Sequence, residues 1–388
     1  MRVLFLAAWY PTRNDTMSGL FVRKHAEAVG RLNNVSVLYM CADDAAGGYD
    51  IVDSVTNGVR EVYVYYPAVR SKYGIVRKAI RYIRAFKKGY DYLAKEWGRP
   101  DVCQVNVLTR AGVLAWWLKM RHKIPYVVVE HWSRYLPEDF HYTGVLRRLV
   151  TRHVVRNASC VLAVSQELKD AMQSLHLVNR KFKLVDNVVD DLFFADYDHK
   201  PEPESKIRAL HVSCIDNASK NITGILDAVA LLSARRADFE LHIVGDGPDI
   251  EMVVSRTKAL GLYNTFVFFE GEKSPRGVCE AMREADFFVL FSHFETASVV
   301  ICEALATGLP IVSSGVCQIP RMVRADVDVL VPPADSEALA EGMSAMMDKC
   351  RSLERASLRH AGLRYSYANV GRYLTDVYTD ALTEHLQS

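Results

Sequence analysis

No stretch of the 388 residues is apolar over the ~18–20 positions needed to cross a bilayer, which excludes a membrane-spanning helix from this chain segment. The apolar opening over residues 3–9 is short and closed by Pro11, and it has neither a charged leader nor a small-residue cleavage site. It reads as a first buried β-strand and not as a signal peptide. A CxxC pair is lacking too. The eight cysteines, Cys41, Cys103, Cys160, Cys214, Cys279, Cys302, Cys317 and Cys350, are scattered, most of them in apolar surroundings. That argues against a disulfide framework or zinc site and for reduced, buried thiols in a cytoplasmic protein. His122, His131, His141 and His153 gather loosely without an HExxH pattern, so no metal site is expected. No repeat of fixed period occurs, and a net charge of only +2 argues against a general nucleic-acid binder. The small total conceals an asymmetry. Residues 1–190 hold 29 Lys and Arg against 17 Asp and Glu, while residues 191–388 hold 19 against 29.

Half the residues are hydrophobic and 24% are charged, the composition of a globular chain long enough for two domains. Short β-rich runs alternate with longer amphipathic stretches, the pattern of parallel sheets with crossover helices. In the first half, strands are predicted at 3–8, 35–39, 62–66, 102–105, 126–130 and 161–164, and helices at 21–29, 75–90 and 111–120. A second set has strands at 207–212, 241–244, 267–270, 287–291 and 311–313, with helices at about 221–234, 248–260, 275–284 and 298–307. The polar stretch 195–205, with Pro201 and Pro203, reads as the linker between them. Two doubly wound α/β domains in tandem follow, and ligands of such sheets bind beyond the carboxyl ends of the strands.

The most informative segment starts at Ser292 and runs through Glu295, Thr296, Ala297, Ser298, Val299 and Glu303 to Gly308 and Pro310. It follows a predicted strand and opens a helix that Gly308 stops. The N–H groups of a loop and first helical turn, with the positive end of the helix dipole, make a seat for phosphate. Carboxylates nearby would accept hydrogen bonds from sugar hydroxyls. Glu295 and Glu303 are eight residues apart; on one helix they would diverge by about 80°, whereas Glu295 on the loop would let both reach one site. Taken alone, the pair also fits two surface glutamates on a solvated helix.

In context these residues are recognisable. The Glu295 to Glu303 spacing, the continuation Glu303-Ala-Leu-Ala-Thr-Gly-Leu-Pro310 and the upstream Ala285-Asp-Phe-Phe-Val-Leu-Phe-Ser292 resemble the retaining glycosyltransferases of family 4. Val244-Gly-Asp-Gly-Pro248, Lys220-Asn221, Asp186-Asn-Val-Val-Asp190 and the strand exit at 329–335 extend the resemblance over most of the chain. It implies the GT-B fold, an α/β architecture of two doubly wound Rossmann-like domains facing a central cleft. Residues 1–190 would take the acceptor and 191–369 the nucleotide-sugar, with a last helix at about 370–388 packing back on the first domain.

The resemblance further implies that Lys220 neutralises the donor diphosphate. Glu295, with the N–H groups of Thr296, Ala297, Ser298 and Val299, would hold the transferred sugar and its phosphates, and Glu303 would bind the ribose hydroxyls. Gly245, in the Gly-Asp-Gly-Pro turn, and Gly271, where relatives pass backbone to the base, would line the donor. On the residues alone, Lys220 also fits an exposed lysine at a helix start, where the dipole disfavours a cation. The family's arginine just before the lysine is missing. Cys214 or Ile215 stands there, and Arg276 or a cation of the first domain would have to supply the second counter-charge. Arg321 likewise stands where the family has a glutamate.

In the first half, Gly19 sits where the family has a glycine-rich loop before a helix. It lets backbone approach the donor phosphate or the acceptor, or is an ordinary turn glycine. His131 follows the predicted strand 126–130 and matches the family's histidine near the sugar, which makes Glu295, His131 and Lys220 the expected catalytic set. Residues 70–99 hold ten Lys and Arg against two acids. Arg77, Arg81, Arg84 and Lys88 share one helical face, and Val76, Ile80 and Ile83 another. Such a helix either lies on an anionic bilayer surface or turns its apolar side into the core. Arg147, Arg148, Arg152 and Arg156 form a second basic set.

The expected activity is retaining transfer of a hexosyl group from a nucleotide-sugar to a glycan or lipid-linked acceptor, in cell-surface polysaccharide, lipopolysaccharide or glycolipid assembly. The expected protein is cytoplasmic and peripheral at the inner leaflet, with no metal or other cofactor and no nucleic-acid partner. A sugar-nucleotide epimerase and a non-catalytic scaffold on the same fold are the other readings the residues allow.

Overall fold

The computed structural model describes residues 1–15, 18–70, 74–137, 140–197 and 206–387; most of the expected linker lies outside them. The chain divides into two compact units, Met1–Val188 with Tyr367–Ser388, and Val189–Ser366.

The first unit runs β1 (Arg2–Ala7), α1 (Leu20–Gly30), β2 (Asn34–Asp43), β3 (Asp50–Thr56), β4 (Val59–Pro67), α2 (Ile75–Glu96), β5 (Val102–Asn106), α3 (Thr109–His122), β6 (Tyr126–Glu130), α4 (Val145–Asn157), β7 (Cys160–Ala163), α5 (Gln166–Ser174) and β8 (Phe182–Leu184). Its sheet has the order β3-β4-β2-β1-β5-β6-β7-β8. Helices cover both faces, so the central strands are near-continuous apolar runs, and Val3, Leu4, Phe5 and Leu6 of β1 are all buried. One strand departs from the all-parallel expectation: β3 pairs antiparallel with β4. It is an exposed edge strand carrying Asp50, Asp53 and Ser54, too polar to show as a buried run. Its hairpin turn is Asn57-Gly58, both residues at positive φ (48° and 81°), the backbone that a two-residue hairpin turn demands.

The second unit runs β9 (Ile207–Val212), α6 (Asn217–Lys220), α7 (Ile222–Ser233), β10 (Phe239–Val244), α8 (Ile250–Ala259), β11 (Val267–Gly271), α9 (Pro275–Glu284), β12 (Phe287–Leu290), α10 (Val299–Ala306), β13 (Ile311–Ser314), α11 (Ile319–Met322), β14 (Val329–Val331), α12 (Ser336–Met347) and α13 (Arg355–Leu358). Its sheet has the order β11-β10-β9-β12-β13-β14, with every pair parallel. One face packs Ile225, Leu226 and Val229 of α7 with Leu339 and Met343 of α12; the other packs Met282 of α9 with Ile301 and Leu305 of α10. The strand order reverses between β9 and β12, which makes the carboxyl ends of these two strands the place for a ligand crevice. In the first unit the same reversal falls between β1 and β5.

The last helix, α14 (Tyr367–Gln387), belongs to the first unit and packs on α1. Gly371 permits that approach, since a Cβ there would lie 2.3 Å from the carbonyl oxygen of Ala28. The Tyr367 hydroxyl donates to Glu27 at 2.8 Å, and the Tyr378 hydroxyl donates to Gln104 of β5. All eight cysteines are free thiols, with Cys103, Cys160, Cys279, Cys302 and Cys350 buried. Among the described residues no helix is long and apolar enough to cross a membrane.

Candidate active site

At the reversal point of the second sheet, the loop after β9 folds into α6 and the loop after β12 leads into α10. The N–H of His293 donates to the Ser219 carbonyl at 2.8 Å, fastening the two. This brings Lys220 to Glu295: the ammonium Nζ donates to Oε1 at 2.5 Å. Ser292 donates its hydroxyl to the same oxygen at 2.9 Å, and Ser314 donates to the Ser292 carbonyl at 2.7 Å. Glu295 is 8% exposed and lies on the loop, not on the helix. Lys220 closes the four-residue α6 and stands directly before Asn221, the N-cap of α7. Asn221 then takes the left-handed conformation and caps α7 through Gly224.

A glycine turn braces the loop that carries Lys220. Gly245 has φ 133°, and a Cβ on it would fall 1.9 Å from the carbonyl oxygen of Ser213; one on Gly247 would fall 2.6 Å from the N and O of Ile215. Backbone bonds from Ile215 to Asp246 and from Asp249 back to Ile215, each 3.0 Å, lock the two segments together. Gly271 is exposed at the end of β11, with φ 68° and open space around it, and its carbonyl accepts the Gly245 N–H at 2.8 Å. Beneath the loop, His211 donates from Nδ1 to the Val289 carbonyl at 2.9 Å. Its Nε2 then accepts the Ser213 hydroxyl at 2.7 Å. Burial holds this imidazole neutral, with its pKa lowered to about 4. Cys214, near the position of the family's arginine, is an exposed free thiol and supplies no cation. Arg276 is exposed on the first turn of α9.

The first turn of α10 follows Thr296, Ala297 and Ser298. Ser298 gives the helix no side-chain cap, and no acidic side chain occupies that turn. Glu303 lies within α10, half-buried. Among the described residues no group of three or more His, Cys, Asp or Glu is arranged to hold a metal ion.

In the first unit, Gly19 has φ 70°, and a Cβ there would stand 2.5 Å from the Trp9 carbonyl. The close approach it permits is to the chain's own backbone, at the entry to α1. His131 packs its ring 4.4 Å from Phe21 and 5.3 Å from His25, between centroids. Burial, with His25 adding, holds His131 well below the ordinary histidine pKa, so its ring is neutral. Its Nε2 and the Nδ1 of His25 are buried without a hydrogen-bond partner among the described residues. Sequence reasoning missed Ser292 as the residue that holds Glu295. It also treated Glu130 only as a strand end, although a carboxylate closing the apolar run Tyr126-Val-Val-Val-Glu130 was a visible signal.

The basic helix corrects two expectations. Arg81 is not part of an open cationic face: its guanidinium donates to the carbonyls of Pro67 at 2.7 Å and Ala68 at 3.0 Å, tying α2 to the exit of β4. Lys88 lies over the Tyr49 ring, 5.7 Å from its centroid, while Arg77 and Arg84 are exposed. Nor do Val76, Ile80 and Ile83 enter the core; Ile75 and Val76 are 72% and 70% exposed. A second apolar stripe, Tyr82, Ala85, Phe86, Gly89, Tyr90 and Leu93, is buried instead, because Gly89 lets the helix close on Leu38 and Val64. Trp117 and Met120 of α3 and Val145, Leu146 and Leu149 of α4 are also exposed. Between α2 and α3 runs a groove of about 440 Å³ lined by Ile75, Tyr82, Ile83, Val113 and Leu114 together with Lys78 and Arg110.

Residues 206–349 match the model of the glycosyl transferases group 1 family, and residues 21–187 match that of a glycosyl transferase 4-like domain. Over 286 residues the chain is 26% identical to an alpha-D-kanosaminyltransferase of Streptomyces kanamyceticus, covering 66% of this chain and 71% of that one. It is 31% identical over 172 residues to a phosphatidyl-myo-inositol mannosyltransferase of Mycobacterium leprae, covering 43% of this chain and 45% of that one. A solved sucrose-phosphate synthase from Thermosynechococcus elongatus has the same fold, with a TM-score of 0.72 at 17% identity over 99% of this chain and 100% of that one.

Proposed function

The chain belongs to the group 1 glycosyl transferases, and from that membership we propose that it moves a sugar, with retention at the anomeric carbon, from a nucleotide-sugar to a lipid-linked or glycan acceptor at a membrane surface. The observation that carries the reading is the ion pair of Lys220 with Glu295 at the reversal point of the second sheet, one loop away from the uncapped start of α10. A nucleoside diphosphate brings two negative charges that compete with Glu295 for the ammonium. Lys220 then neutralises the diphosphate, whose remaining oxygens meet the N–H groups leading into α10. Glu295, released from Lys220, accepts hydrogen bonds from hydroxyls of the transferred sugar, and Glu303 takes the ribose. As the bond from the anomeric carbon to the phosphate oxygen breaks, negative charge grows on the leaving diphosphate, and Lys220 stabilises it most at that moment. The acceptor hydroxyl attacks from the same side and gives its proton to the departing phosphate oxygen. Residues Met1–Val188 take the acceptor on this reading.

Thermal unfolding across a panel of UDP-, GDP- and ADP-sugars tests it. A donor at about 100 times its Kd adds about 2.7 kcal/mol by mass action, so one nucleotide series is expected to raise Tm by several degrees. No shift with any of them would favour a non-catalytic scaffold. An epimerase would instead isomerise free sugar-nucleotide in the absence of acceptor.

The exposed apolar residues of α2, α3 and α4, interleaved with Arg77, Lys78 and Arg84, support attachment to an anionic cytoplasmic leaflet, and the groove beside Lys78 and Arg110 suits an apolar chain bearing a phosphate. Each basic residue near such a surface is worth about 1 kcal/mol. Replacing Arg77 and Arg84 with alanine, and leaving Arg81 to hold β4, is expected to weaken binding to phosphatidylserine vesicles about 30-fold. Co-sedimentation measures it, and unchanged binding would sink the membrane reading.

A further inference from the structure

Beside the reversal point of the first sheet, at the ends of β5 and β6, a single buried carboxylate gathers two turns. Glu130 ends β6 and is fully buried. Its Oε1 accepts the backbone N–H groups of His131 and Trp132, each at 2.9 Å. Its Oε2 accepts the N–H of Leu108 at 2.9 Å and the hydroxyl of Tyr135 at 3.4 Å. Leu108 belongs to the turn between β5 and α3, where Val107 takes φ 66°. A β-branched side chain in left-handed backbone is a strained conformation, of the kind that persists only where its surroundings hold it, and such residues cluster at functional sites. The bond from Leu108 to Glu130 is one of the constraints that hold it. The N–H of Val107 is fixed as well, on the Val129 carbonyl at 3.1 Å.

We propose that Glu130 is a positioning residue for sugar transfer: by accepting three backbone N–H groups it fixes the strained turn at Val107 and the backbone of His131 in one arrangement at the carboxyl edge of the sheet. The role rests on the glycosyl-transfer reading above and assigns Glu130 no contact with substrate. Four donors converge on the carboxylate, and only its ionised form accepts all four. Tyr135 is the one titratable side chain among these partners; Tyr142 and Arg147 act on Tyr135 from behind, and His131 is neutral. Burial outweighs the donors and raises the Glu130 pKa from 4.5 to about 7. The arrangement therefore loosens as pH falls through neutrality. For stability the sign is opposite. Because the folded pKa is raised, the stabilisation is full below about 4.5 and is lost as pH rises through about 7.

Glu130→Gln tests this. The amide keeps the shape but turns an NH₂ toward a backbone N–H. The variant is expected to fold, to bind nucleoside diphosphate within about twofold of wild type, and to lose kcat on the order of 10- to 100-fold, the scale of a 1 Å misplacement. The wild-type kcat is expected to show an acid limb centred near pH 7, absent in Glu130→Gln, and the wild-type decline of Tm between about pH 4.5 and pH 7 is expected to flatten in the variant. Tyr135→Phe removes one donor to the carboxylate and is expected to move the acid limb to higher pH, which keeps the role testable should Glu130→Gln fail to fold. Unchanged kcat per folded molecule in Glu130→Gln, or an acid limb unmoved in Tyr135→Phe, would overturn the role alone. A wild type inactive with every donor would overturn the transfer reading and this role with it.

Discussion

Lys220→Ala is expected to lower kcat/KM for sugar transfer by on the order of 10²- to 10³-fold, the cost of removing one preorganised donor aimed at developing charge. The expected loss lies at the upper end because the strand exit before it, with Cys214 in place of a cation, offers no second counter-charge. The variant should also lose most of the thermal stabilisation that nucleotide gives wild type. A second effect accompanies the first. With the ammonium gone, the Glu295 carboxylate keeps only the hydroxyl of Ser292 among its described partners and is nearly buried. An unpaired buried charge of this kind is strongly destabilising, by about 3–5 kcal/mol where a full partner is lost. The double variant Lys220→Ala, Glu295→Gln is therefore expected to regain Tm without regaining activity. Steady-state kinetics beside thermal unfolding separates the two, and recovery of activity in the double variant would remove Lys220 from the diphosphate.

Gly245→Ala is expected to be the most damaging small substitution in the second unit. The added Cβ would fall 1.9 Å from the Ser213 carbonyl oxygen, at a φ of 133° that side-chain-bearing residues rarely adopt. That oxygen belongs to the backbone and cannot swing away, and the same segment leads into α6 and Lys220. Strain at such φ costs about 1–3 kcal/mol and overpacking about as much again, so a loss of roughly 4 kcal/mol is expected. Nucleotide binding should be lost along with it. Gly271→Ala is the control: it too sits at positive φ, 68°, but with nothing within 4 Å of an added Cβ. It should be destabilised by the backbone cost alone. Equal Tm losses in the two variants would show that the turn does not brace the Lys220 loop.

The alternation of apolar runs made most of the architecture legible, because buried parallel strands are apolar on both faces and their crossover helices are not. The strands 126–130 and 207–212 and the helix 275–284 were placed to the residue. Among the elements that escaped, α12 buries Leu339, Ala340, Met343, Met346 and Met347, whereas β3 and β8 bury little. β3 is polar and solvent-facing, and β8 is three residues long; of these only the hairpin was signalled, by Asn57-Gly58. The two apolar stripes of α2 could not be ranked from periodicity alone. The choice depended on Gly89 opening room for β2 and β4, a contact between residues far apart in sequence. At the site, the spacing of Glu295 and Glu303 was readable, but the pairing of Lys220 with Glu295 joins positions 75 residues apart and required the sheet. A carboxylate closing the apolar run of β6 was visible, but three of the four donors to Glu130 are backbone N–H groups, which leave no mark in the sequence.

Transfer of sugar from a nucleotide-sugar by means of Lys220 and Glu295 is the reaction proposed for this chain. It is tested most directly by release of nucleoside diphosphate from each of a panel of nucleotide-sugars, with and without a bacterial lipid and glycan extract, in wild type and Lys220→Ala. Release is expected from one nucleotide series, dependent on the extract, with the sugar recovered on an acceptor and the rate lowered at least about 100-fold in the variant. Release equal in both proteins, or none from any donor in wild type, would contradict it.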